Sequence, residues 1–434
     1  MGEGSESMTG SKITSVRGRR VWDSRGRPTV EGEVKLVDGA IGRAIAPAGA
    51  SRGSGEAVDL RDGGETFGGL DVLRAIEGVN GAIAEALIGL DAADQKTVDE
   101  RMIELDGTEN KSRLGGNATV AISMAVAHAA AMTAGQPLWR YLGGENAGPM
   151  PLPEIQIFGG GAHAARRVDV QDFMVIATGT EDYATALDWT AEVYRAAGSL
   201  MEEKGLLEGV ADEGGYWPAF ETNEAALDAL LASIERSGLT PGDDVSISLD
   251  VAASEFGKNG RYRLGLEERE LDSDGLSEML EGWVGRYPIV SIEDPLGEDD
   301  EVGLRKFTVA LGDRIQIIGD DYLVTNADRV QAAGAGGICN ALLCKPNQAG
   351  TLTEAKAAAD AANGAGFGVV VSARSGETED ATIVHLAVGW SAPQLKVGSF
   401  ARSERMVKWN EGLRVAEQLP NGGKLWPKSS YPWA

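Results

Sequence analysis

The sequence predicts an α/β chain in two parts, a small α+β domain followed by a parallel βα barrel. Two patterns carry that reading. From about residue 150 to about residue 400, short apolar runs alternate with helical stretches, as strands and helices do in a closed parallel sheet. Four of these runs also end at a charged residue. Residues 245–249 lead to Asp250, 289–292 to Glu293, 315–318 to Asp320 through one glycine, and 341–344 to Lys345. Such barrels place their chemistry at the carboxyl ends of the strands, so charges gathered there mark a site.

The elements follow in order. Residues 1–11 are small and polar, lack the basic start and apolar middle of a signal peptide, and read as a loose tail. Residues 29–35 alternate as a half-exposed strand, and 41–46 form its partner across a turn at Asp38-Gly39. Residues 70–103 carry a helical pattern. Residues 117–135 form a long Ala-rich helix that starts at Asn117 and stops at Gly135. The Pro- and Gly-rich stretch 143–153 suits a boundary, which divides the chain into domains at 12–145 and 146–434. No internal repeat is visible, which argues against a solenoid.

Composition excludes several functions. Asp and Glu outnumber Lys and Arg by 66 to 40, for a net charge of −26 over 434 residues. Phosphate backbones need clustered cations, so nucleic acid is not an expected partner. No window of about 18 apolar residues appears, so no membrane span is expected. The two cysteines, Cys339 and Cys344, match neither a disulfide framework nor a zinc site, and suit a reducing cytoplasm.

Asp250, Glu293 and Asp320, at successive strand ends, make a hard oxygen cage suited to Mg²⁺. Asp294 and Asp321 beside them are candidates for supporting or capping roles. Lys345 closes an apolar strand; desolvation there is expected to lower its pKa toward the range of a base. Glu213, in Asp212-Glu213-Gly214-Gly215, sits where two glycines let backbone approach a ligand. Lys396, Arg374 and Ser375 offer cations and a hydroxyl to an anionic substrate. Residues 50–55 form a flexible loop suited to a lid. His163, after three glycines, is a lone histidine of the kind that is more often structural.

Taken together these residues resemble the enolase family, over about residues 15–415. The matching stretches include Asp23-Ser24-Arg25-Gly26, Gly49-Ala50-Ser51, Asp212-Glu213-Gly214-Gly215 and Leu249-Asp250-Val251-Ala252-Ala253-Ser254-Glu255-Phe256. Further matches are Ser291-Ile292-Glu293-Asp294-Pro295, Gly319-Asp320-Asp321, Lys345-Pro346-Asn347-Gln348 and Arg374-Ser375-Gly376-Glu377-Thr378-Glu379-Asp380. The resemblance implies a small α+β domain and a modified, TIM-like (β/α)₈ barrel of the enolase type. It implies one Mg²⁺ on Asp250, Glu293 and Asp320, and a second held by Ser51 together with the substrate. Lys345 would remove the proton α to a carboxylate, a lysine-plus-magnesium pattern general to this superfamily. Glu213 would protonate the departing hydroxyl, with His163 and Asp172 among the catalytic groups. Lys396 would face the substrate carboxylate, and Arg374 and Ser375 the phosphate, with Gln171 also in the substrate site. A homodimer built through the small domain is implied too.

The chain departs from the family on one side of that site. A substrate-facing histidine is Ala373, and a glutamate is Asp172, shorter by roughly one C–C bond, ~1.5 Å. Gly-Gly-Ser-His-Ala-Gly-Asn-Lys reads Gly160-Gly161-Ala162-His163-Ala164-Ala165-Arg166-Arg167; Ala48, Arg52 and Pro346 also differ. Metal ligands, base and acid are all kept. The pattern points to a larger or more anionic substrate, with Arg52 and Arg166 adding positive charge. Within the family it is similar to the carboxyphosphonoenolpyruvate synthases of phosphinothricin-type antibiotic pathways. The alternatives are a glycolytic enolase, converting 2-phosphoglycerate to phosphoenolpyruvate, and a non-catalytic structural relative.

Overall fold

A computed structural model of the chain describes residues 10–50 and 53–433. The N-terminal part opens with an antiparallel sheet in the order β1 (Ile13–Trp22), β2 (Pro28–Leu36), β3 (Ile41–Ile45). The β2–β3 pairing sets Glu31 opposite Ile45 and Lys35 opposite Ile41, across the expected turn. The alternation in β2 buries Val30 and Val34 on one face while Glu31, Glu33 and Lys35 lie toward the other. The helix Gly116–Thr133 covers the buried face, and it is itself buried nearly all round. That explains its Ala-rich sequence, because small side chains let helix and sheet approach closely. A Cβ on Gly42 would lie 2.0 Å from the Ala125 carbonyl oxygen and 2.4 Å from the Ala129 nitrogen.

Three local expectations are corrected. Asn117 does not cap its helix; its side chain exchanges hydrogen bonds with the Leu60 backbone, at 3.2 and 3.1 Å. The stop at Gly135 holds, with φ of +64°. The helical stretch 70–103 is broken. Leu73–Gly78, a π turn at Val79–Ile83 and Ala84–Leu87 end before Gly89, whose φ is +89°; Asp94 then caps a separate helix, Gln95–Asp106. The tail gives up its last two residues to the fold, since the carbonyls of Gly10 and Ser11 accept from Asp38 and Ala92. Its other residues, 1–9, lie outside the described ones.

Eight strands close the barrel in circular order: β4 (Leu152–Gly159), β5 (Asp172–Ile176), β6 (Ser246–Asp250), β10 (Ile289–Glu293), β11 (Gln316–Gly319), β12 (Ala341–Cys344), β13 (Gly368–Ser372) and β14 (Gln394–Gly398). Between β6 and β10 lies a small antiparallel sheet of β7 (Gly257–Lys258), β8 (Arg261–Leu264) and β9 (Arg269–Asp272). The barrel is of the modified kind the resemblance implied: its strands run parallel except β5, which pairs antiparallel with both β4 and β6. The chain turns back directly after β4, and two helices, Tyr183–Glu203 and Asn223–Arg236, follow β5 before β6. The inversion puts the start of β5 at the mouth, where the parallel strands end: Asp172 pairs with Asp250. Among the described residues no single helix is long and apolar enough to cross a membrane.

Gly42 joins the sheet to its covering helix with no room for a methyl group. Gly42→Ala is expected to destabilise the chain by about 1–3 kcal/mol or more, read from the urea midpoint at unchanged slope.

Candidate active site

Strand register builds the acidic wall. Asp250 and Glu293, each the last residue of its strand, are paired across β6 and β10. Asp320 follows β11 directly, and its orientation is set by Asp294. The Asp294 carboxylate accepts the backbone N–H groups of Asp320 and Asp321, each at 2.9 Å, from a residue held at φ +41°. Asp294 is thus a brace, as its place in the sequence had suggested. Asp294, Asp320 and Asp321 lie close enough for their carboxylates to share one ion.

Lysines tie the wall together. Lys396, from β14, reaches Glu293 Oε2 at 2.6 Å, Asp250 Oδ2 at 3.0 Å and Asp172 Oδ2 at 3.7 Å. Lys345, which follows β12, pairs with Asp320 Oδ2. Gln348 donates to the other Asp320 oxygen at 2.8 Å, and Gln171 donates to Asp250 Oδ2 at 3.0 Å. Asp250 Oδ1 and Glu293 Oε1 are buried and have no hydrogen-bond partner among the described residues. Two orphaned carboxylate oxygens on paired strand ends suit a hard divalent cation such as Mg²⁺, but the acids whose carboxylates already lie within reach of one ion are Asp294, Asp320 and Asp321 rather than the expected Asp250, Glu293 and Asp320.

The electrostatics follow from burying so many acids. Burial and the neighbouring Asp250 push Glu293 well above the carboxylate range. Burial, then Asp320, pushes Asp294 up to about 8; burial, then Asp294, pushes Asp321 up to about 9. Burial would raise Asp320 too, but Lys345 and Arg374 hold it low. The expectation for Lys345 is corrected here. Burial does pull its pKa down, but the Asp320 carboxylate more than offsets this and the net shift is upward. Lys396 is raised further by Asp250, Glu293 and Asp172, against its burial.

A second group faces this wall. His163 Nδ1 lies 3.0 Å from Asp172 Oδ1, and its Nε2 lies 3.8 Å from Glu213 Oε1. Burial alone would lower the His163 pKa; Asp172 and Glu213 overcome it and hold the ring at about 9. Reciprocally, Asp172 is held at about 2 despite full burial, chiefly by His163. Glu213 sits on a loop whose Gly214 adopts φ +96°. On the third side, Arg374 donates to Glu56 at 3.0 and 3.2 Å and to Asn347 at 3.1 Å, and Ser375 Oγ accepts from Arg25 at 3.3 Å.

One cavity at the barrel mouth joins these groups. His163, Gln171, Glu213, Lys345, Lys396, Arg374 and Ser375 all line it, and so does Ala373. Arg166 does not join them. Its side chain is 62% exposed and pairs with Glu255 at 3.0 Å, because the turn at Ala165 and Arg166, both at positive φ, carries it away from the cavity. Ser51 and Arg52 lie outside the described residues. The sequence reading missed Glu56, which anchors Arg374, and Gln156, which donates to Asp172. Gln156 had one signal: with Glu154 it is a polar residue in a strand that is buried throughout.

Comparison with known proteins agrees with this geometry. The family model for the enolase N-terminal domain matches residues 13–142, and that for the enolase C-terminal TIM barrel domain matches residues 148–430. The chain is 49% identical to "Enolase 1" of Desulfitobacterium hafniense (strain Y51) over 427 residues, 98% of each chain. Neither finding separates out the carboxyphosphonoenolpyruvate synthases, so the narrower resemblance rests on the substitutions alone. With both domains matched and a relative this similar along its whole length, the chain belongs to the enolase family.

Proposed function

We propose that the protein is a Mg²⁺-dependent lyase that removes the α-proton of a glycerate carrying a phosphorus group at C2 and expels the C3 substituent. The observation that carries this reading is a buried lysine and a buried carboxylate, Lys345 and Glu213, lining one cavity from different elements. Lys345 Nζ takes the C2 proton in its neutral form, reached when Asp320, whose carboxylate raises the Lys345 pKa, is committed to a cation instead. The electron pair left on C2 closes a double bond to C3 as the C3–O bond breaks. Glu213 gives the departing hydroxide a proton, so the products are an enolpyruvate and water. Arg374 and Ser375 hold the phosphorus oxygens, and Lys396 the substrate carboxylate. Asp250, Glu293 and Asp320 would hold a divalent cation, with a second at Ser51. The bound cations supply the positive charge that makes an α-proton beside a carboxylate removable.

Of the two candidate substrates, 2-phosphoglycerate is favoured by the whole-length relative named as an enolase. Its product would be phosphoenolpyruvate. A second reading has its own observation: Ala373 leaves a short side chain on the cavity wall. That suits a phosphono-substituted glycerate with an extra carboxylate, and carboxyphosphonoenolpyruvate as the product. A homodimer in the cytoplasm belongs to either reading; the buried free thiols Cys339 and Cys344 suit a reducing compartment.

Solvent deuterium exchange at C2 of 2-phosphoglycerate tests the base. Lys345→Ala is expected to lower exchange by roughly 10²–10⁴-fold; exchange at the wild-type rate would remove Lys345 from the role. Turnover decides the substrate. The glycolytic reading expects ordinary dehydration of 2-phosphoglycerate, whereas the second expects slow dehydration that Ala373→His improves, and preference for the phosphonoformyl glycerate.

Calorimetry is expected to show Mg²⁺ affinity reduced about tenfold or more in Asp320→Asn; unchanged affinity would place the ion elsewhere. His163 supplies a pH test. Its folded pKa of about 9 lies above the ordinary 6.5, so its protonated form stabilises the fold. That contribution is complete below about 6.5 and lost as pH rises through about 9. The urea midpoint should fall across that window, and much less in Asp172→Asn.

A further inference from the structure

Gln156 has no part in the chemistry above, yet it is fully buried beside it. Its Nε2 donates to Asp172 Oδ1, the same oxygen that faces His163 Nδ1. Its Oε1 accepts the backbone N–H of Gly215 at 2.7 Å, two residues from Glu213. One side-chain amide therefore spans two elements, the inverted strand β5 and the loop that carries Glu213. The surroundings leave that amide no other place. A Cβ on Gly215 would fall 2.5 Å from Gln156 Oε1, and one on Gly159 would fall 3.3 Å from Gln156 Nε2. Asp172 is equally confined, between Gln156 and His163 on one oxygen and Lys396 on the other.

We propose that Gln156 and Asp172 are a matched pair: the length of Gln156 sets the length of acid tolerated at position 172, and Gln156 is the positioning residue that holds the Glu213 loop. An extra methylene at 172 advances the carboxylate by about 1.5 Å, into Gln156, His163 or Lys396. A shorter amide at 156 makes that room. The pair therefore exchanges length as a unit, and a change on one side alone strands two buried polar groups. The catalytic consequence rests on Glu213 being the acid of the proposed reaction; the packing consequence does not.

The experiment uses the full chain and a double-mutant cycle of Asp172→Glu and Gln156→Asn, read by urea unfolding. Asp172→Glu alone is expected to lower the midpoint, and Gln156→Asn in the same chain to recover at least half of that loss. Equal loss in both backgrounds overturns the pairing. A second variant, Gln156→Glu, keeps the acceptor for Gly215 but replaces the donor to Asp172 with a like charge. With Mg²⁺ and 2-phosphoglycerate, or the phosphonoformyl analogue if that is the one turned over, it is expected to lower elimination about tenfold or more. Exchange at C2, the work of Lys345, should stay within about threefold. Equal loss of both rates means a merely structural role and overturns the positioning. If the wild-type chain turns over neither substrate, the functional reading fails, while the unfolding cycle still decides the pair.

Discussion

A single buried ammonium governs the barrel mouth. Lys396 lies within 4 Å of three carboxylates, Glu293, Asp250 and Asp172, and is only 5% exposed. Taking charges out of water is expensive unless each meets an opposite charge in good geometry. Even so, among the described residues the buried acids outnumber the cations. Asp172, Glu213, Asp250, Glu293 and Asp320 are buried around His163, Lys345, Lys396 and Arg374, with Glu154, Asp294 and Asp321 buried as well. Burial first, and then that excess, accounts for the upward shifts of Glu293, Asp294 and Asp321. The excess also accounts for the fit to a divalent cation, which would neutralise the surplus where Asp250 Oδ1 and Glu293 Oε1 have no partner among the described residues. The same carboxylates set the direction of the Lys345 shift. Burial alone would lower its pKa, and Asp320 reverses the sign.

The inverted strand makes the second half of the site. In an all-parallel barrel, position 172 would open a strand at the bottom, far from the ends of β6 and β10. Because β5 runs backward, its first residue stands at the mouth opposite Asp250, and Gln171 just before it reaches the Asp250 carboxylate. His163 lies on the short turn between β4 and β5, so it falls between Asp172 and Glu213 without a long loop to position it.

This division explains what the sequence disclosed. The parallel half was legible because each candidate ligand ends its own apolar run, so one local pattern gives both strand and candidate site. Asp250, Glu293, Asp320, Lys345 and Lys396 were all placed that way or by resemblance. Strand direction at β5 was not legible, since it depends on which long-range partner the strand meets. Gln156 and Glu56 were missed for the same reason: their roles lie in contacts with residues 16 and 318 positions away. Arg166 went astray for a local reason, the positive φ that turns it toward Glu255. The sign of the Lys345 shift needed the Asp320 contact, which burial inferred from an apolar run does not supply.

Charge balance also bears on which residues can change without undoing the site. Asp172 differs in length from the family's glutamate but keeps the charge that His163 and Lys396 both face. Ala373 stands where the family has a histidine, and its backbone N–H still donates to the Lys396 carbonyl at 2.9 Å, so the strand ends stay joined. Neither substitution removes a carboxylate or a cation from the knot around Lys396. Losing Lys396 would instead leave Asp172, Asp250 and Glu293 buried without their shared cation, the kind of change that destabilises by about 3–5 kcal/mol. The walls of the cavity can therefore alter shape at small energetic cost while the ion-paired core is held fixed. Substitutions that spare the ion-paired knot are what such a structure tolerates whichever substrate it serves, and so turnover, rather than the pattern of substitutions, is the measurement that discriminates between the two.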